Sequence, residues 1–200
     1  MKNKVNIFGC GGHARSVADV LLANEPDADI VFIDSHARPG EEIFGFPVQL
    51  APPADGSVSY CAVGDNCIRR DMFADRQFDT LISKDCYLGK NCKIGVGTFV
   101  AHHAHIGPCA IIGIGCIINT GAVVEHEVKV GNFSHISVNA TVCGRVEIGN
   151  RVFVGAGTTI RDKIHVCDDV IIGCGSTVVH DITEPGVYGG CPIHKIGNIK

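Results

Sequence analysis

The sequence predicts an α/β domain at residues 1–80, then a parallel β-helix at residues 81–182, then a C-terminal tail at residues 183–200. Three observations predict this. An aliphatic residue recurs at every sixth position from Ile82 to Val178. Glycine is abundant, at 25 of 200 residues. The first 80 residues lack the six-residue step and instead alternate short apolar runs with a glycine turn and an amphipathic segment. An apolar fraction of 46% with 19% charged residues describes a core-forming chain rather than a disordered one. A net charge of −4 argues against a general polyanion-binding surface, so no nucleic-acid partner is expected. No apolar run approaches the roughly 20 residues that span a bilayer, so no membrane span is expected. The apolar stretch after Met1-Lys2-Asn3-Lys4 stops at Gly9, too short for a signal peptide, and the expected location is the cytoplasm.

Within residues 1–80, Lys4–Phe8 reads as a buried strand and the run Gly9–Ala14 as a glycine turn. Arg15–Asn24 reads as a helix with Val17, Val20, Leu21 and Leu22 as candidate core. Ile30–Ile33 and Ser57–Val63 read as further strands, Pro52-Pro53 as a loop, and Asp71–Arg76 as a second helix. Two βαβ-like steps imply a parallel sheet. Gly9-x-Gly11-x-x-Ala14 fits the dinucleotide fingerprint of a small Rossmann-like unit, with Asp34 twenty residues beyond Ala14, where a ribose-binding acid belongs. Such a turn aims backbone N–H groups and a helix N-terminus at a phosphate. Eighty residues hold only one mononucleotide half, so a nucleotide or nucleotide sugar is expected rather than NAD.

The six-residue step matches neither the helical period of 3.6 nor the strand period of 2. It fits a triangular prism: each hexapeptide forms one flat face and one corner, and 18 residues form one coil. The aliphatic residues point inward and stack from coil to coil. Glycine often follows directly, as at Gly89, Gly95, Gly107, Gly113, Gly131, Gly149, Gly155 and Gly173, and is expected to turn the corner without a Cβ clash. The rod comprises about five and a half coils and is roughly 26 Å long.

Ten histidines and eleven cysteines remain. The cysteines form no CxxC pair and are expected to be core-filling or surface thiols without a shared role. His102, His103 and His105 cluster without the spacing of a metal site, and no metal is expected. Glu125-His126-Glu127 is different. A base for acyl transfer needs an imidazole with one nitrogen free and the other held by an acceptor, and either flanking carboxylate could supply it.

The segment Asn119–Glu127 with Gly131-Asn132-Phe133-Ser134-His135 resembles the active-site signature of the sialic-acid O-acetyltransferase-like sugar acyltransferases, the NeuD-like and PglD-like family. The runs Phe8–His13, Phe32-Ile33-Asp34 and Ala62–Arg69 resemble its nucleotide-sugar-binding segments. Tyr188–Pro192 resembles its closing turn, departing from it at Ile193-His194. The resemblance implies a left-handed β-helix, acetyl-CoA as cosubstrate and a homotrimer with clefts between subunits. It also implies His126 as general base oriented by Glu127, with Asn119 near the acceptor, His135 at the acetyl end of the donor and Gly144 as a backbone donor to the thioester oxygen. Gly11, Gly12, His13, Asp34, Gly64, Asp65, Asn66 and Arg69 would meet the nucleotide sugar. His126 and His135 lie nine residues apart, half a coil, so they fall on opposite sides of one prism and share a pocket only between two copies. The expected activity is N-acetylation of a UDP-linked amino sugar for bacterial surface glycans or glycoproteins. O-acetylation of a sialic-acid-like sugar and a noncatalytic nucleotide-sugar-binding scaffold are the alternatives.

Overall fold

A computed structural model describes residues 3–53 and 57–199; Met1 and Lys2 of the N-terminal run, residues 54–56 and Lys200 lie outside the described residues. The first unit comprises β1 (Lys4–Phe8), α1 (Gly12–Asn24), β2 (Asp29–Ile33), β3 (Glu42–Ile43), β4 (Phe46–Gln49), β5 (Val58–Cys61) and α2 (Asn66–Met72). Its sheet runs β3-β4-β2-β1-β5, parallel except for the β3–β4 hairpin. That hairpin turns on Phe44 and Gly45, at φ 55° and 78°, a pair of left-handed residues that suits a tight two-residue turn.

Helix α1 starts at Gly12, three residues before the expected Arg15, because Gly11 is already extended and serves as its N-cap. It buries Ala14, Val17, Ala18, Val20 and Leu21 on one face, while Leu22 is half-buried. Gly9 cannot be replaced cheaply: its φ is +119°, and a Cβ there would lie 2.9 Å from the Ala62 carbonyl oxygen. The second helix differs from the expected Asp71–Arg76. Asp65 caps it by accepting from the Cys67 and Ile68 amides at 2.9 and 2.8 Å, so it begins at Asn66 and ends at Met72.

The second unit is a left-handed parallel β-helix with three faces: a first of eight strands that starts at Leu81–Ile82, a second of six that starts at Tyr87–Leu88 and a third of five that starts at Lys93–Ile94. Strands pair with those 18 residues away, as Ile106 with Val124 and Val124 with Val142. The inward ladder is as expected: every sixth residue from Val100 to Val178 is buried. Leu88, in the first coil, is exposed. A second inward ring lies two residues before each ladder position and mixes small side chains, among them Ala104, Ala110, Cys116, Ala122, Ser134 and Ala140, with Val128, Val146, Val152, Ile164 and Val170.

The glycines after the ladder residues do not turn the corners. The left-handed residue lies two positions further on, in series at Asn91, Gly97, His103, Cys109, Gly115, Gly121, Glu127 and Phe133, all with φ near 60°. The expected glycines are instead required by the close approach of the next coil. A Cβ on Gly131 would lie 2.5 Å from the Gly149 carbonyl carbon, and one on Gly89 would lie 2.4 Å from the Pro108 nitrogen.

Several contacts join the units. Leu81, Phe99 and Ile117 on the first face of the prism enter the core of the α/β domain. The Asn24 side chain donates to the Ile82 carbonyl at 2.7 Å and accepts from the Lys84 amide at 3.0 Å. Phe73 packs edge-on against Phe133. At the far end, the segment read as a tail contains strands Gly186–Gly189 and His194–Gly197, which extend the first face, and Tyr188 and Ile193 pack against the prism core.

Candidate active site

His126 and Glu127 occupy the corner between the second and third faces, after strand Val123–Val124 and before Lys129–Val130. Glu127 holds the left-handed position at φ 60°, which turns its side chain beside the preceding imidazole. Its Oε2 accepts from His126 Nδ1 at 3.1 Å and from Arg145 Nε, one coil on, at 2.9 Å. The carboxyl is held below its ordinary pKa, first by the imidazole and then by the guanidinium. A carboxylate can only accept, so Nδ1 carries the proton and Nε2 presents its lone pair. Glu125 instead accepts from the His126 amide at 3.1 Å, so the orienting carboxylate is Glu127. The ring is half exposed.

Gly144 sits directly over this ring: a Cβ there would be 2.5 Å from His126 Cε1 and Nε2. On the next corner, between strands such as Lys129–Val130 and His135–Ile136, the residues at the equivalent place in the six-residue repeat differ: the N–H groups of Ile114, Asn132 and Asn150 donate to side-chain oxygens of Asn132, Asn150 and Asp168. Among the described residues no protein acceptor meets the Gly144 N–H. The same corner continues into a cavity of about 620 Å³ framed by Arg161, Asp162, Lys163 and His180.

A second group of expected residues gathers at the seam between the units. His135 is 8% exposed, and its Nε2 meets the Asn119 amide nitrogen at 3.1 Å. Its ring centre lies 6.3 Å from that of His13, the second residue of α1. Among the described residues, the buried His13 Nε2 and His135 Nδ1 meet no hydrogen-bond partner within bonding geometry. Burial first, and the Arg69 charge second, push His13 down to about 4 and His135 to about 3, so both rings are neutral at pH 7.

The nucleotide-type turn lines a third place. A cavity of about 560 Å³ lies at the C-terminal ends of β1 and β2, bounded by Gly9, Asp34, Leu50, Ile68, Met72 and Arg76. This is where open parallel sheets bind ligands. Asp34 Oδ2 accepts from the Cys10 amide at 3.1 Å and Oδ1 from the His36 amide at 2.9 Å, and its pKa is lowered chiefly by the His36 bond. Gly11 and Gly12 are exposed at the start of α1.

Four of the expected substrate-binding residues also bond within the protein. Asp65 is the cap of α2, and the Asn66 side chain and the Gly64 carbonyl accept from Arg69 at 2.7 and 3.0 Å. Arg69 is 1% exposed, and its remaining bonds go to the Val63, Gly115 and Phe133 carbonyls. Its donors are taken by protein acceptors, so it braces the seam instead of facing a ligand. Sequence reading missed Arg145, whose position one coil after Glu127 was available from the 18-residue period. The clustered histidines serve separate ends: His102 meets Ser83 and Asp19, and His105 stacks on Tyr87. Among the described residues no group of three or more His, Cys, Asp or Glu side chains could hold a metal ion, and no helix is long and apolar enough to cross a membrane.

Residues 4–75 match the PglD N-terminal domain family, and residues 127–162 match the bacterial transferase hexapeptide family of six repeats. The acetyltransferase domain of PglB from Neisseria gonorrhoeae superposes with a TM-score of 0.91 at 28% identity, covering 98% of this chain and 100% of that one. That domain is also known in complex with acetyl coenzyme A. PerB from Caulobacter crescentus, solved with CoA and GDP-perosamine, superposes with a TM-score of 0.86 at 30% identity and 97% coverage of both chains. A curated relative, the uncharacterized protein L142 of Acanthamoeba polyphaga mimivirus, is 33% identical over 108 residues, and the match spans 22% of its length.

Proposed function

Because the chain belongs to the PglD-like sugar acyltransferases of the hexapeptide-repeat, left-handed β-helix superfamily, we propose that it transfers the acetyl group of acetyl-CoA to the amine of a nucleotide-linked amino sugar. The observation that carries this is the His126 ring, fixed by Glu127 with Nε2 free beneath Gly144. In the transfer, the neutral amine attacks the thioester carbonyl carbon and a C–N bond forms. His126 Nε2 takes the proton of the resulting ammonium. The Gly144 N–H stabilises the oxyanion. Collapse breaks the C–S bond, and the proton leaves with the CoA thiolate. No covalent enzyme intermediate is required.

The nucleotide diphosphate sits at the cavity lined by Gly9 and Asp34, next to the exposed Gly11 and Gly12 at the start of α1, and the CoA arm runs along the corner past Gly144. The active assembly is a homotrimer in which the Asn119–His135 edge of one copy faces the His126 corner of the next, and it works in the cytoplasm. Resemblance to PglD-like enzymes favours uridine as the base, whereas likeness to PerB favours guanosine. Thiol release from acetyl-CoA, measured against UDP-, GDP- and dTDP-linked amino sugars with mass analysis of the product, tests the reading. An acetamide formed on one nucleotide class is expected. Release only with hydroxyl acceptors would establish O-acetylation instead, and no release with any acceptor would leave a scaffold.

A further inference from the structure

We propose that Arg69 is a positioning residue for the transfer: it fixes the separation between the nucleotide cavity and the acyl-transfer cleft by pinning α2 to two successive coils of the β-helix. The inference rests on the function proposed above for these two places. Arg69 lies in α2, whose neighbouring residues Ile68 and Met72 line the nucleotide cavity. Its guanidinium reaches the Gly115 carbonyl through Nε at 2.7 Å and the Phe133 carbonyl through Nη2 at 2.9 Å. These residues are 18 apart, one above the other on the corner between the third and first faces, both at left-handed φ near 60°. Among the described residues no backbone amide donates to either carbonyl, so the coil ladder leaves both acceptors open. The chain leaves Gly115 into strand Ile117–Ile118 and then Asn119, and it leaves Phe133 toward His135. One planar fork therefore sets the place of both strands that carry the seam residues, relative to the wall of the nucleotide cavity.

Adhesion alone does not explain the arginine. Among the described residues no carboxylate bonds to it, and its five bonds there are all to neutral oxygens. Burying a guanidinium in this way is unfavourable compared with apolar packing, and Phe73, Phe78 and Phe133 already supply apolar packing at this seam. The rigid, multidentate geometry of the fork is what an apolar side chain could not reproduce. The charge also opposes protonation of His13 and His135 beside it.

A substrate held at its nucleotide end reacts faster only if its amine then falls at the right place. The test compares wild type, Arg69→Lys and Arg69→Met with two acceptors, the nucleotide-linked amino sugar and the same amino sugar without its nucleotide. Melting curves confirm that each variant is folded. In Arg69→Met, kcat with the linked acceptor should fall about 10²-fold, the scale of a misplacement near 1 Å. The second-order rate with the unlinked sugar should change less than about threefold, because it has no tether to misplace. Arg69→Lys should fall in between. Equal losses with both acceptors, or no loss with either, would overturn the proposal. If wild type acetylates neither acceptor, the functional reading itself fails. The coupling is then read from the His135 imidazole NMR signal. A nucleoside diphosphate should move that signal in wild type and not in Arg69→Lys, and an identical response in both would sink the inference.

Discussion

Gly144→Ala isolates the geometry of the base from the stability of the fold. The backbone at Gly144 is outside the left-handed region, so alanine is conformationally acceptable. The added methyl would start 2.5 Å from Cε1 and Nε2 of His126, so the ring must retreat by about 1 Å to ordinary contact. At 48% side-chain exposure, the ring can swing outward into solvent. The cost to folding should then be about 1 kcal/mol or less. Moving the ring breaks its 3.1 Å bond to Glu127 and shifts Nε2 off the amine, and a 1 Å error of this kind costs about 10²-fold in rate. That is roughly 2.7 kcal/mol of activation free energy. The Gly144 N–H survives the substitution, so the loss reports on the ring. Steady-state kcat and thermal melting are measured together, with Gly131→Ala as the contrast. There the methyl meets the backbone of the next coil, which cannot swing away, and the damage should appear in Tm. A Gly144→Ala enzyme with wild-type kcat, or one that loses as much Tm as Gly131→Ala, would refute the reasoning.

His126→Ala should lower kcat by roughly 10²–10⁴-fold with nucleotide binding by calorimetry unchanged, and Glu127→Ala should lower it less, since the ring remains but loses its orienting acceptor. Ile118→Asp places a carboxyl at a fully buried inward position and should cost several kcal/mol, read as a fall in Tm or loss of soluble protein. In acid, unfolded histidine near pKa 6.5 takes protons before His13 and His135, whose folded values are about 4 and 3. Their contribution to stability is therefore complete above about pH 6.5 and is lost as pH falls toward 4 and below, at up to about 1.4 kcal/mol per pH unit for each ring. His135→Asn should flatten the Tm profile between pH 7 and 4. Mixing inactive His126→Ala with inactive His135→Ala subunits should restore activity if both residues serve one cleft between copies. No recovery despite proven subunit exchange would place them in separate roles.

The prism was legible because its signal is chemical and periodic: an aliphatic residue must fill the axis once per face, and nothing else in the chain needs that spacing. The second inward ring was less legible, because it mixes Ala, Ser, Cys and Thr with Val128, Val146, Val152, Ile164 and Val170 and so carries no uniform hydropathy. The corner glycines were noticed for the wrong reason. Sequence shows only that a side chain is missing, and both positive φ and a close coil would remove it. At Gly131 the coil decides, while the true corner two residues on tolerates Phe133. Helix α2 was missed because Asp65 reads equally well as a ligand-binding turn and as a cap. The role of Arg69 was beyond reach from sequence, since its acceptors at Gly115 and Phe133 are backbone carbonyls and carry no residue signature.

The repeat also explains why the site consists of so few specialised residues. Each coil presents the same three corners, so any chemistry at one corner needs only a choice of side chain there and in the adjacent coils. Along the corner between the second and third faces, the chain places Pro108, His126, Gly144 and Asp162 in one column, with Cys109, Glu127, Arg145 and Lys163 in the next. The imidazole, its carboxylate and the guanidinium behind them thus come from two coils, and the vacant side chain at Gly144 leaves the approach to Nε2 open. The same geometry limits what one copy can do. The first face, which carries His135, lies across the prism from this corner, and the α/β domain covers it by packing over Leu81, Phe99 and Ile117. The nucleotide cavity belongs to that covered side. Under the proposed function a single chain holds its acceptor-binding domain and its base on opposite flanks, so that reading calls for the flank of a second copy to bring a tethered amine to His126.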